Sequence, residues 1–397
     1  MDEISADVSA WKDIDWMKLT KLNLEKVRSL MKIDGVDALF AHQVANFQYL
    51  TGYMNPTHFD SKGTPLRQGA IVLAEEDQPI MLAGAADFFD ARNFWWIKDV
   101  RSMPARLDAW PKIIKDAVKD YGVKQGKMAV DPYSPFTLVD DLRKELGDDL
   151  KIISAGSILA TARGVKNSEE IKVIRRAAGL AGAMVVAAKA AVQEGVREIA
   201  VAKEAEYMLA KLEPLARPAY KTVVMSGERA AYLDRIPSNK IIRRGEIVNV
   251  DAGCYYMGYL SEFSRHKMVG KPTEEQKKLY RVAFEAEQRA IEAIRPGAKA
   301  SEIDRVARSI IKKAGYGEYQ HPHYTGHGHG LGPHDRPIIG DPRQVEECIL
   351  EAGMVMGIEP GIFKPGVGGV REEDVVLVTE TGHDVLSKVE YEDRLLE

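Results

Sequence analysis

Apolar β runs in this chain repeatedly end on, or begin beside, a carboxylate. Glu246-Ile-Val-Asn-Val-Asp251 closes on Asp251, Met354-Val-Met-Gly-Ile358 runs straight into Glu359, and Glu373 stands immediately before Asp374-Val-Val-Leu-Val378. A charged group is a poor choice beside a core strand unless it is paired or coordinated. A fold that accepts all of them must pair or coordinate each, which narrows the possible arrangements more than any other stretch does.

The chain has 397 residues, 45% of them hydrophobic, and exceeds the length at which a single core usually stops growing. Two domains are expected, over residues 1–160 and 161–397. The first alternates short β-rich runs (Val36–Ala41, Ala70–Ala74, Pro79–Leu82, Lys127–Asp131, Lys151–Ile153) with amphipathic segments, which reads as an α/β unit. In the second, Asn167-Ser-Glu-Glu170 is an N-cap with its reciprocal glutamate, and a helical stripe of Ile171, Ile174, Ala178, Ala181 and Val185 runs on toward a stop at Gly195. Thr273–Gln276 and Ser301–Asp304 open further helices, the first ended by Pro296-Gly297. With the β runs between them, residues 160–397 read as helices covering one side of a mostly antiparallel sheet, an α+β layer.

The composition excludes several functions. A net charge of −4 from 55 basic and 59 acidic residues gives no field for nucleic acid or an anionic membrane. Cys254 and Cys348 are too few for a disulfide framework, the start lacks a leader pattern, and no apolar run is long enough to span a bilayer. A cytoplasmic protein is expected.

Five of the nine histidines fall within His321-Pro-His-Tyr-Thr-Gly-His-Gly-His-Gly-Leu-Gly-Pro-His334. Glycines alternate with His327 and His329, and on a strand His323, His327 and His329 would share one face. Such crowding points to metal binding or proton transfer. Asp251 and Glu262 stand on opposite arms of an expected hairpin, and with Glu359 and Glu373 they form an oxygen-rich set around an imidazole. That set suits manganese, iron, cobalt or zinc and has room for two divalent ions sharing a water, a hydrolase centre.

Asp251, Thr325-Gly-His327-Gly, Gly357-Ile-Glu359-Pro-Gly and Gly369-Val-Arg-Glu-Glu373-Asp resemble the pita-bread metallopeptidase family, and Asn46-Phe-Gln-Tyr-Leu-Thr-Gly-Tyr53 resembles the amino-terminal domain of its aminopeptidase P, prolidase and creatinase branch. The resemblance implies a creatinase/prolidase-like α/β domain followed by a pita-bread α+β catalytic domain. It implies cleavage of a C–N bond, the first substrate being a short peptide with proline after the scissile bond. By the same resemblance Asp251 chelates one ion, His327 and Glu359 the other, while position 262 and Glu373 bridge them. Glu359 would also shuttle protons, and His323 and His334 would contact substrate and the tetrahedral intermediate. Arg371 would support Glu373 or meet a substrate carboxylate, and a homodimer would complete the site. His329 matches no family role and reads as an exposed neighbour.

Two positions depart from the pattern. The family has Asp where this chain has Glu262, so the longer arm bridges two ions, leaves a single ion on His327, Glu359 and Glu373, or acts in a site without metal. A substrate-binding His is replaced by Asp234, which shifts preference toward a cationic or hydrogen-donating group or serves only as a loop cap. A creatinase-like hydrolase of a small nitrogen compound and a catalytically silent binding protein therefore stay open beside the peptidase. Arg336 reads as positive charge for a substrate carboxylate or as an exposed ion-pair partner, and Phe94-Trp-Trp96 as core or subunit contact.

Overall fold

The computed structural model describes residues 14–54, 67–232, 236–332 and 334–397. They belong to two units, Met1–Arg163 and Gly164–Glu397. Among the described residues no helix is long and apolar enough to cross a membrane.

In the first unit β1 (Ala38–Ala41), β2 (Gln68–Leu73), β3 (Ile80–Ala83), β4 (Val100–Ser102), β5 (Gly126–Val130) and β6 (Leu150–Ser154) make one sheet in the order β4-β3-β2-β1-β5-β6. β1 is antiparallel to β2 and parallel to β5, so the sheet is mixed. Only β4 was not expected, because three residues with a central arginine carry no readable alternation. Helices Trp110–Asp120 and Phe136–Leu146 turn Trp110, Ile114, Leu138 and Leu142 onto Phe40, Ile71 and Leu82, as spacing by four along a helix requires. The Asn46–Tyr53 stretch is mostly the helix Val44–Thr51. Asp131 Oδ2 anchors its start, accepting from the amides of His42 and Gln43 at 3.3 and 3.1 Å and from Asn46 Nδ2 at 3.1 Å. Trp95 and Trp96 both donate their indole N–H to Thr51 O, at 2.9 and 3.1 Å, at the other end of that helix.

The second unit contains β7 (Ala216–Pro218), β8 (Val223–Ser226), β9 (Ile247–Tyr256) and β10 (Tyr259–Met268), with β9 pairing to the other three. After these come β11 (Gly326–Gly328), β12 (Asp335–Ile339), β13 (Val355–Ile358), β14 (Gly361–Lys364), β15 (Gly368–Arg371), β16 (Asp374–Val378) and β17 (His383–Val385). The order β12-β11-β13-β16-β17 forms a five-stranded sheet and β14-β15 a ribbon. Every strand pairing described in this unit is antiparallel, but the single layer expected from sequence is divided into three. Met257 and Gly258, with φ of 49° and 82°, give β9 and β10 the two-residue turn whose twist matches a hairpin.

Both capping boxes form, Asn167 with Glu170 and Thr273 with Gln276, opening helices Ser168–Ala191 and Glu274–Glu292. The first helix ends before Gly195, which at φ 87° turns the chain into an unforeseen helix, Glu198–Leu212. The apolar face of that helix is largely alanine, with Val201, Ala202, Ala205 and Leu209 buried, and so contrasts weakly with its polar face. Ser301 does not cap the helix Ala300–Lys313, since its hydroxyl donates to Glu347, and Asp304 is drawn instead to Arg308 and Thr325. Small residues let the helix Ser168–Ala191 lie close on β9, where Cys254 Sγ is 3.5 Å from Ala177 O. Leu279, Ala283, Ile303 and Ala307 of two helices pack on Met356, Ile358, Val370 and Val376, and these strands hold the site described next.

Candidate metal centre

β9 and β10 supply Asp251 and Glu262. Their register sets Glu262 opposite Gly253 and Asp251 opposite Ser264, so the two carboxylates share one face of the hairpin along a diagonal. Gly253 has to be glycine, because a Cβ there would run into the Cβ of Glu262. β11 sets His327 opposite Gly357 of β13, while Glu359 follows β13 and Glu373 precedes β16. Gly357 is a second necessary opening, since a Cβ would come within 2.6 Å of Glu373 Oε1 and 3.1 Å of His329 Nε2. Asp251, Glu262, His327, Glu359 and Glu373 line a cavity of about 350 Å³ with Tyr220, His323, His334 and Arg371.

His327 Nε2 lies 3.4 Å from Glu262 Oε1 and 3.7 Å from Glu359 Oε1. Arg371 is partly buried among the acids, with Nη1 2.6 Å from Glu359 Oε2, Nη2 donating to Asp251 Oδ2, and Nη2 3.9 Å from Glu373 Oε2. The Tyr220 hydroxyl donates to the other oxygen of Asp251. Behind the histidine loop, Arg308 pairs with Asp304 and donates to the carbonyls of His321 and His323. Asp304 accepts from Thr325 Oγ1 at 2.6 Å, and Thr325 O accepts from Glu359 N at 2.7 Å, so the loop and Glu359 are fixed together.

These acids do not share one protonation behaviour. Burial, then the charge of Asp251, pushes Glu262 up to about 8, and burial followed by Glu359 pushes Glu373 well above the carboxylate range. Burial also raises Glu359, but Arg371 and then His327 outweigh it and leave that carboxyl below its ordinary value. His327 is lowered by burial against the pull of Glu359, and His329 is lowered much further by burial and by His327. One guanidinium thus faces four carboxylates, Asp251, Glu262, Glu359 and Glu373. Glu373 Oε1 and both ring nitrogens of His329 are buried without a hydrogen-bond partner. One donor atom each from Glu262, His327, His329 and Glu373 lies within 4.8 Å of the others. A divalent cation answers the excess charge and the unmet atoms together, and imidazole with carboxylate is a donor set for first-row metals.

Residues 172–380 match the model of metallopeptidase family M24, and residues 23–165 match that of the creatinase/prolidase N-terminal domain. The chain belongs to metallopeptidase family M24. It is 31% identical over 380 residues to an Xaa-Pro dipeptidase of Pyrococcus horikoshii, covering 95% of this chain and 99% of that one. An Xaa-Pro dipeptidase of Pyrococcus furiosus is 33% identical over 376 residues, with 94% and 99% covered. Among solved structures, a prolidase from Pyrococcus horikoshii superimposes with a TM-score of 0.80 at 30% identity, covering 93% of this chain and 99% of that chain. An Xaa-Pro dipeptidase from Bacillus anthracis gives 0.81 at 26% identity, with 95% and 99% covered.

In this M24 metallopeptidase some sequence expectations need correction. The strand in the histidine segment is only Gly326–Gly328, so His323 is not in phase with His327 on it but sits in the preceding loop. His329 is not exposed. Its exposure is 0%, and the two-residue alternation that carries His327 inward carries His329 with it. Arg371 lines the cavity while engaged by Glu359 and Asp251. His334 is exposed at the cavity, its ring centroid 4.5 Å from that of His327. Arg336 pairs with Glu346, and Asp234 lies outside the described residues. Tyr220, in a connection between two strands with no motif around it, had no signal beyond being an aromatic with a hydroxyl; only its contact with Asp251 reveals it.

Proposed function

We propose that this metallopeptidase is an Xaa-Pro dipeptidase in which Asp251, Glu262, His327, Glu359 and Glu373 would hold two divalent ions. The observation that carries this reading is the convergence of the four carboxylates and His327 on one cavity wall. The end-to-end likeness to proteins named Xaa-Pro dipeptidase supports the substrate. Ions in this donor set supply Lewis acidity and hydroxide at neutral pH.

The chain's own groups do the rest. Arg371 and Tyr220 hold Asp251 in one orientation from its two oxygens. Arg371 also keeps Glu359 ionised, with Oε2 on the guanidinium and Oε1 toward His327. An ionised carboxylate so placed takes a proton from the attacking water at Oε1 and returns it to the departing proline nitrogen as the C–N bond breaks. His323 and His334, at the same cavity, donate toward the carbonyl oxygen as its charge develops. A cytoplasmic homodimer belongs to this reading.

Metal-stripped protein reloaded with manganese, cobalt, zinc or iron is expected to cleave Xaa-Pro dipeptides, to spare dipeptides without proline, and to lose activity with chelator. Activity on neither class, with no uptake of any of these metals, would sink the proposal. One observation favours a second reading: Arg371 already neutralises part of the acidic wall, as a creatinase-like hydrolase working without metal on a small nitrogen compound requires. That enzyme would resist chelation and ignore peptides.

A further inference from the structure

His329 has no part in the proposal above, yet it is fully buried and neither ring nitrogen meets a hydrogen-bond partner. Leaving a buried polar group unmet costs about 1–3 kcal/mol, so a site that keeps one there needs something other than protein to engage it. Its Nε2 is 3.9 Å from Glu262 Oε1, and the same oxygen is 3.4 Å from His327 Nε2. The carboxylate of Glu262 therefore stands against two imidazoles at once. The ring centroids are 5.2 Å apart with the planes tilted by 49°, so the rings are not stacked face to face and both present Nε2 to one point. Glu373 Oε1, also unmet, approaches that point across the opening left by Gly357. Donors about 2.0–2.2 Å from a tetrahedral cation stand roughly 3.4 Å from one another, and small rotations bring a set already within 4.8 Å to that spacing.

The geometry points to His329 as a second imidazole ligand, which places one ion of this centre in a cage of two nitrogens and two oxygens from His327, His329, Glu262 and Glu373. The inference rests on the metallohydrolase reading of the same cavity. It gives the length of Glu262 a purpose, since Asp at this position would draw the carboxylate back from both imidazoles by one methylene. It also divides the centre. Asp251 and Glu359 are held by Arg371 and offer oxygen alone, whereas the cage is rich in nitrogen, which favours zinc, iron or cobalt over manganese.

Zinc K-edge X-ray absorption on the full-length, metal-stripped protein reloaded with one zinc per chain counts the imidazoles directly. Two per zinc are expected in the unaltered protein, and one in His329→Leu. Zinc retention in that variant is expected to weaken by more than about 100-fold, beyond the 10–100-fold that loss of an outer partner costs. A single imidazole per zinc in the unaltered protein overturns the inference and leaves the dipeptidase reading standing. Failure to take up zinc, manganese or cobalt overturns both. The count on unaltered protein decides the matter even if His329→Leu does not fold.

Discussion

Two buried charge clusters lie on either side of residues 371–374, and they are completed by different means. Away from the cavity, Arg265 donates to Asp374 Oδ1 at 2.5 Å and to Glu373 O at 2.7 Å. Ser387 and Tyr391 hydroxyls also donate to Asp374. Glu372 Oε1 accepts from Tyr280 OH at 2.6 Å and lies 2.9 Å from His266 Nδ1. Toward the cavity, Arg371 serves Asp251 and Glu359, while Glu262 and Glu373 are driven toward the protonated form. Protein groups answer most of the first cluster, although Glu372 Oε2 and Glu287 Oε1 make no hydrogen bond and burial, then Asp374, pushes Glu287 up. In the second, one guanidinium faces four carboxylates that converge with imidazoles on a cavity, and this separates a structural ion network from a site kept for chemistry.

The contrast can be broken most forcefully at Glu373. Glu373→Gln should lower kcat/KM by about a thousandfold or more, since several kcal/mol of charge stabilisation go with the ligand. The melting temperature of the metal-free protein should rise, because a buried carboxyl that must take up a proton on folding is gone. A fall in that temperature would mean the two clusters are built alike. Across the strand, Arg265→Met should cost about 3–5 kcal/mol in urea unfolding by stranding Asp374, with metal bound per folded chain unchanged. Loss of metal there would show the clusters to be coupled.

A smaller effect is expected for Glu262→Asp, which should retain stability but lose about 100-fold in activity, the scale of an ångström's misplacement. Unchanged or improved turnover with Xaa-Pro substrates would mean that the longer arm is not tuned to this site. The smallest effect is on pH dependence without metal. Glu262 titrates near its ordinary 4.5 when unfolded and at about 8 when folded. Between those values the folded state holds more protons, so stability is fully present below 4.5 and is lost as pH rises through 8. Denaturant midpoints across that window should fall in metal-free protein and stay flatter once metal displaces the proton.

Much of the site was legible because its signals are local. The capping boxes are read three residues apart, and two of the three form. The Asp251–Glu262 hairpin follows from alternation and a short turn, and Gly253 and Gly357 stand where Glu262, Glu373 and His329 need the space. The box at Ser301 failed because Glu347, 46 residues away, offered its hydroxyl a better partner. His329 was misplaced because exposure is not a property of the histidine segment; it depends on β10, which brings Glu262 toward Nε2 of the ring, and on Gly357, whose missing side chain leaves it room.

By itself the sequence determined most of the elements, though not β4 or the helix Glu198–Leu212, the α/β and α+β characters of the two parts, and a set of acids and imidazoles whose chemistry is that of a metal centre. Those follow from periodicity, caps and the cost of placing charge beside apolar strands, all carried by neighbouring residues. Only the tertiary structure decided which acids are answered by Arg371, that Tyr220 steadies Asp251, and that His329 turns inward toward Glu262. The physical reason is separation along the chain: the Arg371–Asp251 pair spans 120 residues, and a contact at that distance is set by the packing of sheets rather than by any local pattern.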